Sequence, residues 1–321
     1  MEKKRNITYD YLKGIAMLSI VIGHLYFYSG RHVGSIIFSI CDTIELPVFL
    51  YISGLLAHVS VDRYGFRKLI ASKVIRLLFP LFSFYLIWSL WDTSNFLTFW
   101  LKEFKNGYWF MLVLFELMVT LSSIKQFSIR FNIKTIYVTI VVYALATLVF
   151  FLLPKDGLIS RLFCVKLYWH YFPFFMMGYF SYKLDKFMVM KYVPIYLILY
   201  LVAFYFYLDM SWSIIRSMAC NLFSLCFLIS VFSTSFKPLE KVFATVGVNS
   251  LQVYMVHFFL LLPLASILPV VENKWLEFPY FVVIASAIIF ASIAIAKLLM
   301  MSRWLSMFLF GNRLMETKMK L

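Results

Sequence analysis

Ten stretches of mostly apolar residues recur along this chain, near residues 11 to 29, 35 to 58, 74 to 91, 107 to 124, 134 to 153, 167 to 182, 192 to 208, 213 to 233, 246 to 268 and 278 to 301. Most approach the roughly 20 residues at which a helix crosses the apolar layer of a bilayer. The polar breaks between them are short, and no long polar block interrupts the series. The pattern predicts an all-α integral membrane protein, a bundle of about ten transmembrane helices. With no room left for a soluble domain of ordinary size, residues 1–321 are expected to form a single membrane domain.

Composition agrees. Hydrophobic residues make up 63% of the 321 and charged residues 14%, with mean hydropathy at +0.87, which excludes an ordinary soluble protein. The first apolar stretch runs longer than a signal-peptide core and lacks a small-residue cleavage pattern, so it is expected to stay as a span. The net charge of +15 would suit nucleic acid, but its placement gives another cause. With the N-terminus inside, the cytoplasmic segments hold Lys3, Lys4, Arg5, then Arg63, Arg67, Lys68, Lys73, Arg76, then Lys125, Arg130, Lys134, then Lys183, Lys186, Lys191, then Lys237, Lys241, and finally Arg303, Arg313, Lys318 and Lys320. The outer segments keep only Arg31, Lys102, Lys105, Lys155, Arg161, Lys166, Arg216 and Lys274. That asymmetry follows the positive-inside rule with both termini cytoplasmic, and no nucleic-acid partner is expected. Cys41, Cys164, Cys220 and Cys226 show neither metal nor disulfide-framework spacing and read as small core residues.

Against this apolar ground the ionisable residues stand out, because a charged side chain at the bilayer centre costs roughly 2.5 to 3.5 kcal/mol on insertion scales. Asp10, Lys13, Met17, Val21 and His24 follow at three- or four-residue steps and share one face of the first span. His24 lies about 21 Å beyond Asp10 at 1.5 Å per residue, in the outer half of the membrane. Its neighbours on the stripe are apolar, so its partner must come from another helix. Asp42 and Glu45, entering the second span at comparable depth, could each accept the imidazole N–H and prepare the ring as a general base. Glu116 on the fourth span is a third candidate partner. Pro47 is expected to kink or start the regular second helix, and Gly54 in "ISG" to allow close helix approach. His257 sits mid-span in a polar stripe with Asn249, Ser250 and Tyr254 that suits bonding between helices. The plain alternative for all these groups is a buried polar network that only fixes packing.

At the start of the third span, "RKLIASKVIRLLFP" carries Arg67, Lys68, Lys73 and Arg76. Lys73 and Arg76 are one turn apart, a spacing that can grip a phosphate or pyrophosphate with two cations. Simple anchoring by snorkelling side chains is the competing reading.

Six stretches, in order, resemble the membrane-bound acyltransferase 3 family, many of whose members O-acylate bacterial surface glycans. They are Arg5 and Asp10 with "LKGIA" and a span-terminal "GH" at His24, "LPVFLYISGLL", the basic pair before Pro80, "YWFMLVLF", "FPFFMMGYF" and "GVNSLQVYMVH". The resemblance covers nearly the whole chain. It implies a ten-helix membrane protein taking an acyl group from acyl-CoA, with His24 as the catalytic histidine and Lys73 with Arg76 at the acyl-CoA end. Lysine at the first position of that pair departs from the frequent double arginine and cannot form a bidentate fork.

The expected chemistry follows. Acyl-CoA, most simply acetyl-CoA, is the donor substrate, its phosphates docking at Arg76, Lys73, Arg67 and Lys13. His24, oriented by Asp42 or Glu45, deprotonates an acceptor hydroxyl that attacks the thioester, or itself carries the acyl group as an acyl-imidazole. Asp10, Trp109, Glu116 and His257 are the candidates for lining the substrate site. No bound cofactor and no metal is expected, since no histidine or carboxylate pair on one helix has ligand spacing. By resemblance, the acceptor is a glycan or lipid-linked glycan and the location a bacterial inner membrane. The alternative class is a transporter or flippase that uses the same histidines and carboxylates as a proton relay or sugar-binding network.

Overall fold

The computed structural model describes residues 7–92, 96–102, 104–181, 189–208, 214–232, 238–269 and 273–312. Several basic residues counted above, among them Lys3, Lys4, Arg5, Lys183, Lys186, Lys237, Arg313, Lys318 and Lys320, lie outside them. Within the described residues the regular structure is entirely helical. Among the described residues eight helices are long and apolar enough to cross a membrane, and two shorter helices joined at a sharp bend meet the same measure together. The remaining predicted segment, 167 to 182, falls on a shorter helix of 15 residues, Val165–Tyr179.

The chain divides into two compact units. The first comprises Met1–Ile52 and Phe180–Leu298. It contains α1 (Ile7–Tyr28), the first part of α2 (Ile36–Arg63), and, from the C-terminal half, α10 (Val193–Leu208), α11 (Ile214–Val231), α12 (Glu240–Val248), α13 (Ser250–Ala265) and most of α14 (Lys274–Met301). Helix association inside a bilayer cannot draw on the hydrophobic effect between helices and relies on close van der Waals packing at small residues. The α1–α12 crossing does this twice. A Cβ on Gly14 would overlap the carbonyl of Phe243, and a Cβ on Gly247 would overlap the carbonyl of Asp10. The two backbones therefore touch at points one turn apart on each helix. Tyr11 seals the same crossing with its ring edge-on to Phe232 and Phe243.

The predicted span 246 to 268 is not straight. It breaks at Asn249, where α12 and α13 meet at 82°. Asn249 closes α12 by donating its side-chain amide to the Thr245 carbonyl at 2.8 Å, and its own carbonyl accepts the first α13 bond from the Val253 N–H. Nor does Pro47 start a helix, because α2 runs through it. Proline lacks the N–H that would bond the carbonyl four residues back. That carbonyl, on Thr43, instead accepts from the Ser224 hydroxyl at 2.6 Å, so α11 supplies what the proline removes.

The second unit comprises Ser53–Tyr179 and Leu299–Leu321. It holds the end of α2, α3 (Phe66–Lys73), α4 (Phe79–Asp92), α5 (Phe96–Leu101), α6 (Trp109–Arg130), α7 (Thr135–Leu152), α8 (Leu158–Leu162), α9 (Val165–Tyr179) and α15 (Arg303–Phe310). The third span begins earlier than residue 74: α3, a π-helical turn at Val74–Leu78 and α4 form one span, Phe66–Leu90. Gly54 behaves as expected, since a Cβ there would overlap the carbonyl of Phe175 on α9. α7 exposes Tyr137, Ile140, Val141, Leu145, Leu148 and Val149, an apolar surface fit for lipid. All four cysteines are buried and free, as their composition suggested.

Candidate functional site

In the first unit, His24 on α1 meets His257 on α13. His24 Nδ1 and His257 Nε2 are 3.1 Å apart, across 233 positions of sequence. The ring planes are parallel within 6° with centroids 5.4 Å apart, so the rings lie edge to edge and the N–H···N bond runs nearly in both planes. His257 is fully buried, and its Nδ1 faces the carbonyls of Tyr254 at 2.9 Å and Val253 at 3.0 Å. His24 is half-buried. Its Nδ1 is committed to His257, which leaves Nε2 as the nitrogen that can meet a reactant. Phe258 packs against both rings, at 4.8 Å from His24 and 4.1 Å from His257, and Tyr28 stands edge-on to His24 at 6.2 Å. An imidazole in an aromatic wall, with one nitrogen held and the other without a partner among the described residues, is suited to general-base or nucleophilic chemistry.

The carboxylates are placed differently from the expectation that Asp42 or Glu45 would orient His24. The His24 Nδ1 is occupied by His257, and Asp42 Oδ2 accepts the Tyr207 hydroxyl at 2.7 Å. Asp42 turns toward α10, three residues before Glu45 on α2, while the side chain of Glu45 turns toward α1. Glu45 Oε2 is buried without a hydrogen-bond partner among the described residues, and it would lie 3.3 Å from a Cβ on Gly23. The bare glycine thus lets this carboxyl rest against the α1 backbone one residue before His24. The Tyr207→Phe substitution is expected to leave Asp42 without its donor and to cost about 1–3 kcal/mol of stability. Thermal unfolding of the purified protein checks this, and an unchanged transition would show that the bond contributes nothing.

Two further groups in this unit are paired. Asp10 and Lys13 form an ion pair at 3.0 Å on α1, beside the Gly247 contact. Arg31, counted above as an outer-loop charge, lies 3.6 Å from Glu277 and donates to the Pro269 carbonyl at 2.8 Å. Tyr26 also donates to Glu277, at 3.3 Å. These bonds brace the end of α1 and the chain just beyond it against the segment that follows α13 and the start of α14.

The second unit holds the remaining candidates. Arg67 lies in the first turn of α3, Lys73 ends it, and Arg76 lies in the π-helical turn. Arg67 and Arg76 are exposed and Lys73 is half-buried. None of the three pairs with a carboxylate among the described residues. Isolated π-turns are rare and concentrate at functional positions, because the extra residue per turn re-aims the side chains that follow. Trp109 is buried and stacks on Tyr171 at 5.6 Å. Glu116 Oε1 is buried without a partner among the described residues. Sequence reasoning passed over Lys105 as a loop charge. It is fully buried, and its ammonium donates to the carbonyls of Arg161 at 2.7 Å, Trp100 at 2.9 Å and Lys102 at 3.1 Å. A caged lysine leaves no trace in a hydropathy pattern, since its partners are backbone atoms.

These features define a multi-pass helical membrane protein in which one unit carries a hydrogen-bonded histidine pair and the other carries basic residues that pair with no carboxylate among the described residues. Residues 6–297 match the family model described as an acyltransferase domain, and the chain belongs to the acyltransferase 3 family. Among curated proteins it is similar to the nodulation protein NolL of Sinorhizobium fredii, 32% identical over 82 residues. That match covers 24% of this chain and 22% of the relative, so the chain spans about a fifth of that relative's length. No solved structure matches it.

Proposed function

We propose that this protein is an acyl-CoA-dependent O-acyltransferase of a bacterial inner membrane. It transfers an acyl group, most simply acetyl, to a hydroxyl of a cell-surface or exported polysaccharide or of its lipid-linked precursor. The observation that carries the reading is the half-buried His24, held through Nδ1 by a fully buried His257, with no partner on Nε2 among the described residues. Family membership supports acyl transfer, and Arg67, Lys73 and Arg76, which pair with no carboxylate among the described residues, suit the phosphates of CoA. Lys13 already neutralises Asp10, so donor binding is assigned to the other three cations.

In the reaction, His24 Nε2 takes the proton of the acceptor hydroxyl as its oxygen attacks the thioester carbonyl. The new C–O bond forms, the C–S bond breaks, and the imidazolium returns its proton to the leaving CoA thiolate. Exclusion of water matters, because a hydroxide or water in the same place would hydrolyse the thioester.

The test follows free thiol released from acetyl-CoA by membranes carrying the protein, with and without a glycan fraction from the host. Acceptor-stimulated release is expected. No release from any acyl-CoA, by protein shown to be folded, would overturn the reading in favour of a transporter or flippase. Within the same assay, Arg76→Ala is expected to raise KM for acyl-CoA about tenfold or more, from a lost charge-assisted bond, while KM for the acceptor stays unchanged. An unaltered donor KM would remove Arg76 from the donor site.

A further inference from the structure

From the backbone contacts of His257 we infer that this residue is the positioning residue of the reaction. It fixes His24 as the tautomer protonated on Nδ1 and bare on Nε2, with no carboxylate involved. The inference deepens the reading of His24 as the base and rests on it for its kinetic consequences, though not for its structural ones.

The chain of reasoning starts at two carbonyl oxygens. Val253 O and Tyr254 O can only accept, and both lie within 3.0 Å of His257 Nδ1. A lone pair on that nitrogen would face two oxygen lone pairs at contact distance, so Nδ1 carries the hydrogen. A neutral imidazole with a hydrogen on Nδ1 has its lone pair on Nε2. That lone pair lies 3.1 Å from His24 Nδ1, which must therefore donate. His24 in turn has its own lone pair on Nε2. The opposite direction would need a hydrogen on both nitrogens of His257. It would put a cation in a site with no exposed surface, and no ion pair to His257 is formed among the described residues. The backbone of α13 thus does for this base what a buried carboxylate does in a Ser-His-Asp triad, by holding the tautomer rather than by supplying charge.

The carbonyls lie three and four residues before His257 on its own helix, so the lock is local to one turn of α13. The bond to His24 is tertiary. His257 touches neither substrate in this scheme and acts through His24 alone.

Two measurements test this. The first needs no activity. Nitrogen-15 NMR of histidine-labelled protein reads the tautomer of each of the five histidines, with His24 and His257 assigned by the signals lost in His24→Ala and His257→Leu. A protonated Nδ1 and a bare Nε2 on both residues are expected, and a hydrogen on Nε2 of either would overturn the inference even if the protein is an acyltransferase. The second is kinetic. His257→Leu is expected to lower kcat about a hundredfold, with KM for acyl-CoA unchanged. In His257→Gln the side-chain oxygen can accept from His24 Nδ1, and kcat should return to within about tenfold of wild type. A folded His257→Gln protein as inactive as His257→Leu, or a His257→Leu protein with full kcat, would overturn the positioning role. Absence of transfer by the wild-type protein would instead sink the functional reading and leave the NMR result to stand on its own.

Discussion

Replacing His24 by alanine is expected to abolish acyl transfer, with kcat down by about a thousandfold or more, the upper part of the range for losing a positioned general base. The same substitution strands the buried Nε2 of His257, whose donor is His24 Nδ1, and should cost about 1–3 kcal/mol of stability. Activity and stability would then fall together, so alanine alone cannot separate chemistry from packing. His24→Asn can. The asparagine amide nitrogen falls near the Nδ1 position and can still donate to His257, while no basic nitrogen remains where Nε2 was. The expected result is a protein that unfolds at the wild-type temperature and releases no acceptor-stimulated thiol. Activity retained in His24→Asn would remove His24 as the base and leave the histidine pair as a packing device.

The second large effect belongs to a residue with no side chain. Gly247→Ala should destabilise the protein by about 3 kcal/mol, because the new methyl overlaps the carbonyl of Asp10 and the obstacle is backbone that cannot rotate away. The two helices must part, and α1 carries His24 while α12 leads through the Asn249 bend into the helix of His257. A shift at the crossing is therefore transmitted to the imidazole pair. Thermal unfolding in detergent is expected to show an earlier transition, accompanied by lost transfer activity below that transition. Gly65→Ala is the control: nothing lies within 4 Å of a Cβ there, and its φ of −63° suits any residue, so stability should not change. Equal behaviour of the two substitutions would show that the α1–α12 contact is looser than the structure has it.

Much of this protein is written along one dimension. Membrane helices declare themselves because each must satisfy its own backbone and face lipid or other helices with apolar side chains, so length and hydropathy suffice to find them. His24 was legible for the complementary reason, as a polar group where burial is costly, and the ordered motifs around it pointed to the family that the whole-chain match establishes. Gly54 was legible because a glycine beside a small residue inside a span has few other uses. Partner choice was not legible. Helical periodicity tells which face of α1 carries His24, but not which of eight or more other helices faces it, nor how each is rotated about its axis. The carboxylates of α2 were the natural candidates on charge, yet Asp42 turned to Tyr207 and the imidazole to His257. The bend at Asn249 and the cage around Lys105 escaped for a related reason, since both are made by side chains bonding to backbone, which a pattern of residue types does not record. The sequence by itself determined the membrane class, the helical segments and the presence of a histidine well inside the first of them. Only the tertiary structure decided what holds that histidine, because the lock lies in two backbone carbonyls on a helix more than 200 residues away.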